Sequence, residues 1–198
     1  MKKMKQKDIN RENLLNYGVM LLTQQGYHGT GLQEILDAVQ VPKGSFYNYF
    51  SSKETFAAEI IEHYIAPYLL QLQTYLNESN GHALGALERY LNENMAELEK
   101  TQFKGGCLLG NLTGEISDTS DICREALQQA LGRYRDVWEM GFYRAQKEGS
   151  IRNDKTAREL ADLWVNSWQG ALLRMKIEQS IMPLKQCKEA ILDDFFKA

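Results

Sequence analysis

From about Asp8 to Gln25 the apolar residues Leu14, Leu15, Val19, Leu21 and Leu22 recur at helical spacing, and the three glycines of QGYHGTG end the run. Leu32, Ile35, Leu36 and Val39 then stand at i, i+3, i+4 and i+7. That spacing predicts a short second helix, with Thr30 as its N-cap and Gln33 three residues further on. Pro42 disfavours helix at Val41, so a third helix opens at Pro42 and Gly44 and runs through Phe50. Ser51 or Ser52 caps a fourth, from about Ser52 to Asn77, whose stripe is Phe56, Ile60, Ile61, Tyr64, Tyr68, Leu72 and Leu76. Pro67 lies inside it and predicts a kink. Residues 82–100, Asp121 to Gly149, Lys155 to about Gln179, and 184–197 continue the helical pattern. KGGCLLGNLTGEISD reads as a short, irregular helix. The expectation is an all-α chain of about nine helices, with no strand pattern and no repeat.

Composition narrows the class. The chain of 198 residues has three prolines and no apolar run of membrane-spanning length. Its basic N-terminus lacks the apolar core of a secretory signal. The cysteines, Cys107, Cys123 and Cys187, are odd in number and lack metal-ligand spacing, which fits a reduced, cytoplasmic protein. Net charge is −3, which by itself argues against a nucleic-acid partner. The distribution says otherwise: residues 1–55 hold seven Lys/Arg against five Asp/Glu, and the remainder sixteen against twenty-one. A mildly basic head on an acidic body follows.

Two short helices joined by QVPKG have helix-turn-helix proportions, in which the second helix enters the major groove. In VPKGSFYNYFSSKE, Gly44 would let the backbone approach DNA, and Lys43 and Ser45 would reach bases or phosphates. Tyr47 would offer its hydroxyl to a phosphate, and Lys53 would add a charge at the next helix start. Phe46 and Phe50, four apart, would anchor the element to the core. The competing reading is an all-α ligand-binding or enzymatic protein with an incidental helix-turn-helix. Such a protein has no need of Lys43, Ser45, Tyr47 and Lys53 together.

GYHGTGLQEILDAVQVPKGSFYNYFSSKETF, residues 26–56, resembles the DNA-binding head of the tetracycline-repressor (TetR) family through Gly26, Tyr27, Thr30, Ile35, Val41, Ser45, Phe46, Tyr47, Tyr49, Phe50, Lys53 and Glu54. Val39 and Gln40 depart from the alanine-glycine pair frequent in that family. The resemblance implies a helix-turn-helix DNA-binding domain over 1–51 and a helical regulatory and dimerisation domain over 52–198. It also implies a homodimer on a two-fold-symmetric double-stranded operator, a small-molecule inducer, and DNA contacts from Thr30, Lys43, Ser45, Tyr47, Tyr49 and Lys53. No enzyme activity and no cofactor are expected.

GGCLLGNLTGEISD and LLRMKIEQSIMPL are similar to one branch of that family, repressors that control reductases for electrophiles such as quinones and maleimides. This implies a sensor thiol at Cys107 with Lys176 beside it. The two glycines before Cys107 and a helix starting there favour an anion, the reactive form of a thiol. Tyr64, Tyr68, Phe103 and Trp138 are candidate pocket residues. The three histidines lie in unlike contexts and offer no metal site. Trp164, Trp168, Leu172 and Met175 form an apolar face expected to carry the dimer.

Overall fold

The structure is a computed structural model that describes residues 6–197. Lys2, Lys3 and Lys5, counted in the basic head, lie outside the described residues. Nine α-helices follow one another among those described: α1 (Gln6–Gly29), α2 (Leu32–Ala38), α3 (Lys43–Phe46), α4 (Lys53–Asn77), α5 (Ala83–Lys100), α6 (Leu108–Ile116), α7 (Asp121–Lys147), α8 (Ala157–Glu178) and α9 (Met182–Cys187). Helix α9 runs into a π-helical segment, Lys188–Phe195, where the sequence pattern suggested one continuous helix. No strand forms among these residues beyond a single β-bridge between Ile151 and Lys197. Among the described residues no helix is long and apolar enough to cross a membrane.

The chain divides into two compact units. The first takes the chain up to Ala66 together with Leu108–Ala130; the second takes Pro67–Cys107 and the chain from Leu131 onward. Helices α4 and α7 each contribute to both. Helix α4 continues through Pro67, and the border between the units falls at that residue.

The first unit closes on Leu14, Leu22, Leu36, Phe46, Phe50, Phe56 and Ile60, all essentially inaccessible to water. Gly18 makes the close packing of α1 on α4 possible, because a Cβ there would stand 2.4 Å from Ile60 Cδ1. Helix α1 breaks its helical backbone at Gly26 (φ 74°, ψ 178°), within the glycine-rich stretch that the sequence singled out. Helix α6 is regular, not irregular as expected, and Leu108, Leu109, Leu112 and Ile116 are buried along one side of it. Its glycines, Gly110 and Gly114, mask that periodicity in the sequence.

In the second unit Trp138 is the hub. Its ring lies 6.0 Å from Tyr90, 6.1 Å from Tyr134, 5.6 Å from Phe142 and 5.1 Å from Trp164, centroid to centroid. Trp164 stacks on Trp168 at 5.1 Å. Trp164, Trp168, Leu172 and Met175 are therefore covered by this chain's own helices and do not form a face left for a partner. Other residues of α8 are uncovered, among them Leu163, Asn166, Gly170, Leu173 and Ile177.

Candidate nucleic-acid interface and sensor site

The turn between α2 and α3 is set by backbone bonds. Gln40 N–H donates to Asp37 C=O (3.2 Å) and Val41 N–H to Leu36 C=O (2.9 Å). Gln40 itself takes a left-handed φ of 55°, a region that glycine occupies without strain. Helix α3 is a single turn, extended by Asn48 N–H to Ser45 C=O (3.1 Å) and Phe50 N–H to Phe46 C=O (3.1 Å). Phe46, Phe50 and Phe56 form a triangle with centroid separations of 5.4, 4.6 and 5.4 Å, which pins the element to the core as the i, i+4 spacing suggested.

Pinning one side exposes the other. Lys43, Gly44, Tyr47 and Asn48 are open to solvent, and a Cβ on Gly44 would meet nothing within 4 Å. Ser45 and Tyr49 are half-buried. The Tyr49 hydroxyl stands 3.5 Å from Asn10 Nδ2, and its ring lies under Lys7 Nζ at 5.9 Å. Asn48, absent from the sequence-based candidates, lies two residues from each buried aromatic. At 100° per residue it points most directly away from the core. The midpoint of the Phe46/Phe50 pair was the signal that could have found it.

Two predicted contacts sit differently from the rest. Thr30 is buried and its hydroxyl donates to Gly26 C=O at 2.7 Å, so it is not the N-cap of α2; Gly31 holds that position without a side-chain bond. Gln33 bonds Asp37 (2.6 Å) and does not close a capping box. Ser52 does cap α4, accepting from Thr55 N–H at 3.0 Å. Lys53 Nζ donates to the carbonyls of Tyr27 (3.1 Å) and Thr30 (2.9 Å) and lies 4.4 Å from the centre of the Tyr27 ring. Burial there draws the Lys53 ammonium below the usual lysine range. Lys53→Ala should therefore cost about 1–2 kcal/mol in a urea titration, from two lost charge-assisted bonds. An unchanged urea midpoint would mean that Lys53 does not hold this loop.

The other side of the loop is held from α6. Glu115 Oε2 accepts from Tyr27 N–H (2.7 Å) and, more weakly, from His28 N–H (3.4 Å). The His28 ring nitrogen Nε2 is 3.3 Å from Glu115 C=O. All of these residues belong to the first unit.

Comparison with known proteins places this geometry. Residues 14–60 match the family described as bacterial regulatory proteins, tetR family, and residues 83–191 match the tetracyclin repressor-like C-terminal domain. The chain belongs to the TetR family. It is a DNA-binding transcriptional regulator and not an enzyme. Among its TetR-family relatives, the HTH-type transcriptional repressor DhaR of Mycobacterium sp. strain GP1 is 35% identical over 89% of this chain and 87% of its own length. The HTH-type transcriptional repressor NemR of Escherichia coli K12 is 30% identical over 88% of each. The crystal structure of regulatory protein TetR from Rhodobacter sphaeroides superposes with a TM-score of 0.86 at 31% identity, over 93% of this chain and 98% of that one.

In the TetR-family body of this chain, Cys107 is half-buried and its Sγ accepts from Gln169 Nε2 at 3.4 Å. Gly105 (φ 87°) and Gly106 (φ 68°) lead into it, and α6 begins at the next residue. The Lys176 stem runs along Gly106, where a Cβ would stand 2.9 Å from Lys176 Cδ. Cys107, Gln169 and Lys176 thus share one locality of the second unit. Tyr134 is buried nearby, and burial pushes its phenol up to about 12, against the pull of Trp138 and Tyr90. Burial raises Tyr90 further still, followed by the influence of Tyr134. Trp138 Nε1 lies beside the Tyr134 hydroxyl, yet neither it nor Trp164 Nε1 makes a bond of hydrogen-bonding length and angle. Tyr68 acts on the Tyr90 and Tyr134 phenols. Phe103 is half-buried with a left-handed φ of 61°. Tyr64 falls in the first unit, away from this grouping in the division of the chain.

Proposed function

We propose that the chain is a repressor that binds a pseudo-palindromic operator as a homodimer and is released when a small molecule or electrophile engages its body. Residues 1–51 act as the reading head and 52–198 as the regulatory and dimerisation part, in the cytoplasm. The observation that carries the DNA half of this reading is the divided α3 element. Its buried side is Phe46 and Phe50, and its open side is Lys43, Gly44, Tyr47 and Asn48.

Each open residue suits a different contact. Gly44 leaves the backbone free to approach the groove. Lys43 and the Tyr47 hydroxyl suit phosphates, with Thr30, Ser45, Tyr49 and Lys53 framing the element. Asn48 carries a donor and an acceptor side by side, the pair that matches adenine N7 and N6 in the major groove.

Selection of bound sequences from random DNA, followed by anisotropy titrations against salt, tests the assignment. Asn48→Ala should relax base preference at one position per half-site, at roughly 5- to 100-fold in discrimination. Lys43→Ala should reduce the salt slope by about 1. Both variants behaving as wild type on operator and on random duplex would remove α3 from the interface.

The regulatory half rests on the Cys107 locality and on the likeness to NemR, whose crystal structure carries the description "reduced form" (TM-score 0.84 at 29% identity, over 96% of this chain and 97% of that one).

A further inference from the structure

The last residues of α1, beyond its break at Gly26, carry a contact from α6. Gly26, at φ 74° and ψ 178°, turns the next two backbone N–H groups, of Tyr27 and His28, toward one point. Successive amides aimed this way form a nest for an anion. The anion here is the Glu115 carboxylate, which arrives from α6, 88 residues along the chain from Tyr27. A side chain at residue 26 would displace the Glu115 carboxylate and strain the left-handed backbone there. The Glu115 carbonyl faces His28 Nε2 in addition. Lys53 holds the same loop by its carbonyls, from the side of α4.

We propose that Glu115 is a positioning residue for operator binding. It fixes the angle between α6 and the α2–α3 pair, and so the pose in which the recognition element is presented. Phe46, Phe50 and Phe56 pack on one another, so removing the Glu115 carboxylate leaves that ring cluster in place. This inference rests on the reading of a two-half-site operator given above. Two recognition elements must reach successive major grooves about 34–36 Å apart. A head free to swing forfeits part of the gain from engaging both sites at once. A single half-site needs one head and does not read the angle.

Full-length wild type, Glu115→Ala and Glu115→Gln would be titrated by anisotropy on the selected operator and on a duplex holding one half-site. Glu115→Ala should lower full-operator affinity about tenfold. Its half-site affinity should match wild type, and its urea midpoint should fall no further than that of Lys53→Ala. Glu115→Gln keeps an oxygen to accept from Tyr27 N–H and should recover most of the loss. A Glu115→Ala protein that retains the wild-type preference for the full operator overturns the inference. So does one that loses both duplexes in proportion to a fallen urea midpoint, since that is loss of fold. A wild type that itself binds the half-site as tightly as the full operator overturns the two-half-site reading, and this inference with it.

Discussion

Leu173→Glu with Ile177→Glu should convert the proposed dimer to monomers and weaken operator binding by about 10²- to 10⁴-fold, the gain that linking two half-site contacts supplies. Leu163, Asn166, Gly170, Leu173 and Ile177 recur on α8 at alternating steps of three and four. That is the seam pattern of helices packing along their length. Leu173 is 50% exposed and Ile177 83%, an unusual state for apolar residues so aligned. A Cβ on Gly170 would meet nothing within 4 Å, so the middle of the seam is open to a close-approaching helix. A second copy of this chain fits that face, because a two-fold axis sets a seam of this kind against itself.

A glutamate there would have to be desolvated unpaired in the dimer, yet it sits in water on the monomer. The substitution thus separates association from folding. Sedimentation should give half the wild-type mass with an unchanged far-UV spectrum. A double variant that still sediments as a dimer would move the interface elsewhere. A charge at Ala171 would not serve, because Ala171 is 7% exposed and packs within the chain.

That contrast shows how far sequence carries. Apolar periodicity located α8 and its Trp164/Trp168 stripe, but a stripe does not say what covers it. Trp138, Leu184 and Phe196, on other elements, fill the second unit's core with it, so the proposed dimer uses a different face. The α3 division was legible because Phe46 and Phe50 sit four apart in a single turn. Ser52 as a cap was legible for a local reason as well. Thr30 was read as the N-cap of α2, which Gly31 is instead, and Lys53 as a charge at the start of α4; the backbone carbonyls that both bond have no sequence signature. Glu115 was invisible for the same reason: its partners are two amides, and only the glycine at position 26 hints that something stands there.

Cys107→Ser should bind operator as wild type does and remain bound when maleimide or a quinone is added, whereas wild type should lose at least about tenfold in affinity. The nucleophile in such chemistry is the thiolate. It adds to the activated C=C of a maleimide to form a thioether, and the carbanion then takes a proton from water. Three thiols compete. Cys123 is buried, its S–H directed at Glu54 C=O at 3.6 Å, and burial raises it above the ordinary thiol range. Burial pushes Cys187 up to about 11, and so disfavours its thiolate as it does that of Cys123. Cys107 is half-exposed, with the Gln169 amide donating to its sulfur and the Lys176 stem alongside. One equivalent of N-ethylmaleimide at pH 7 should therefore appear by mass spectrometry on the Cys107 peptide first. Gln169→Leu, which removes the donor to sulfur, and Lys176→Ala should each slow that labelling several-fold. The adduct forms one residue before α6 in the chain. Equal loss of operator by wild type and Cys107→Ser would exclude the thiol as sensor and leave a reversible ligand of the Tyr90, Tyr134 and Trp138 cluster as the inducer.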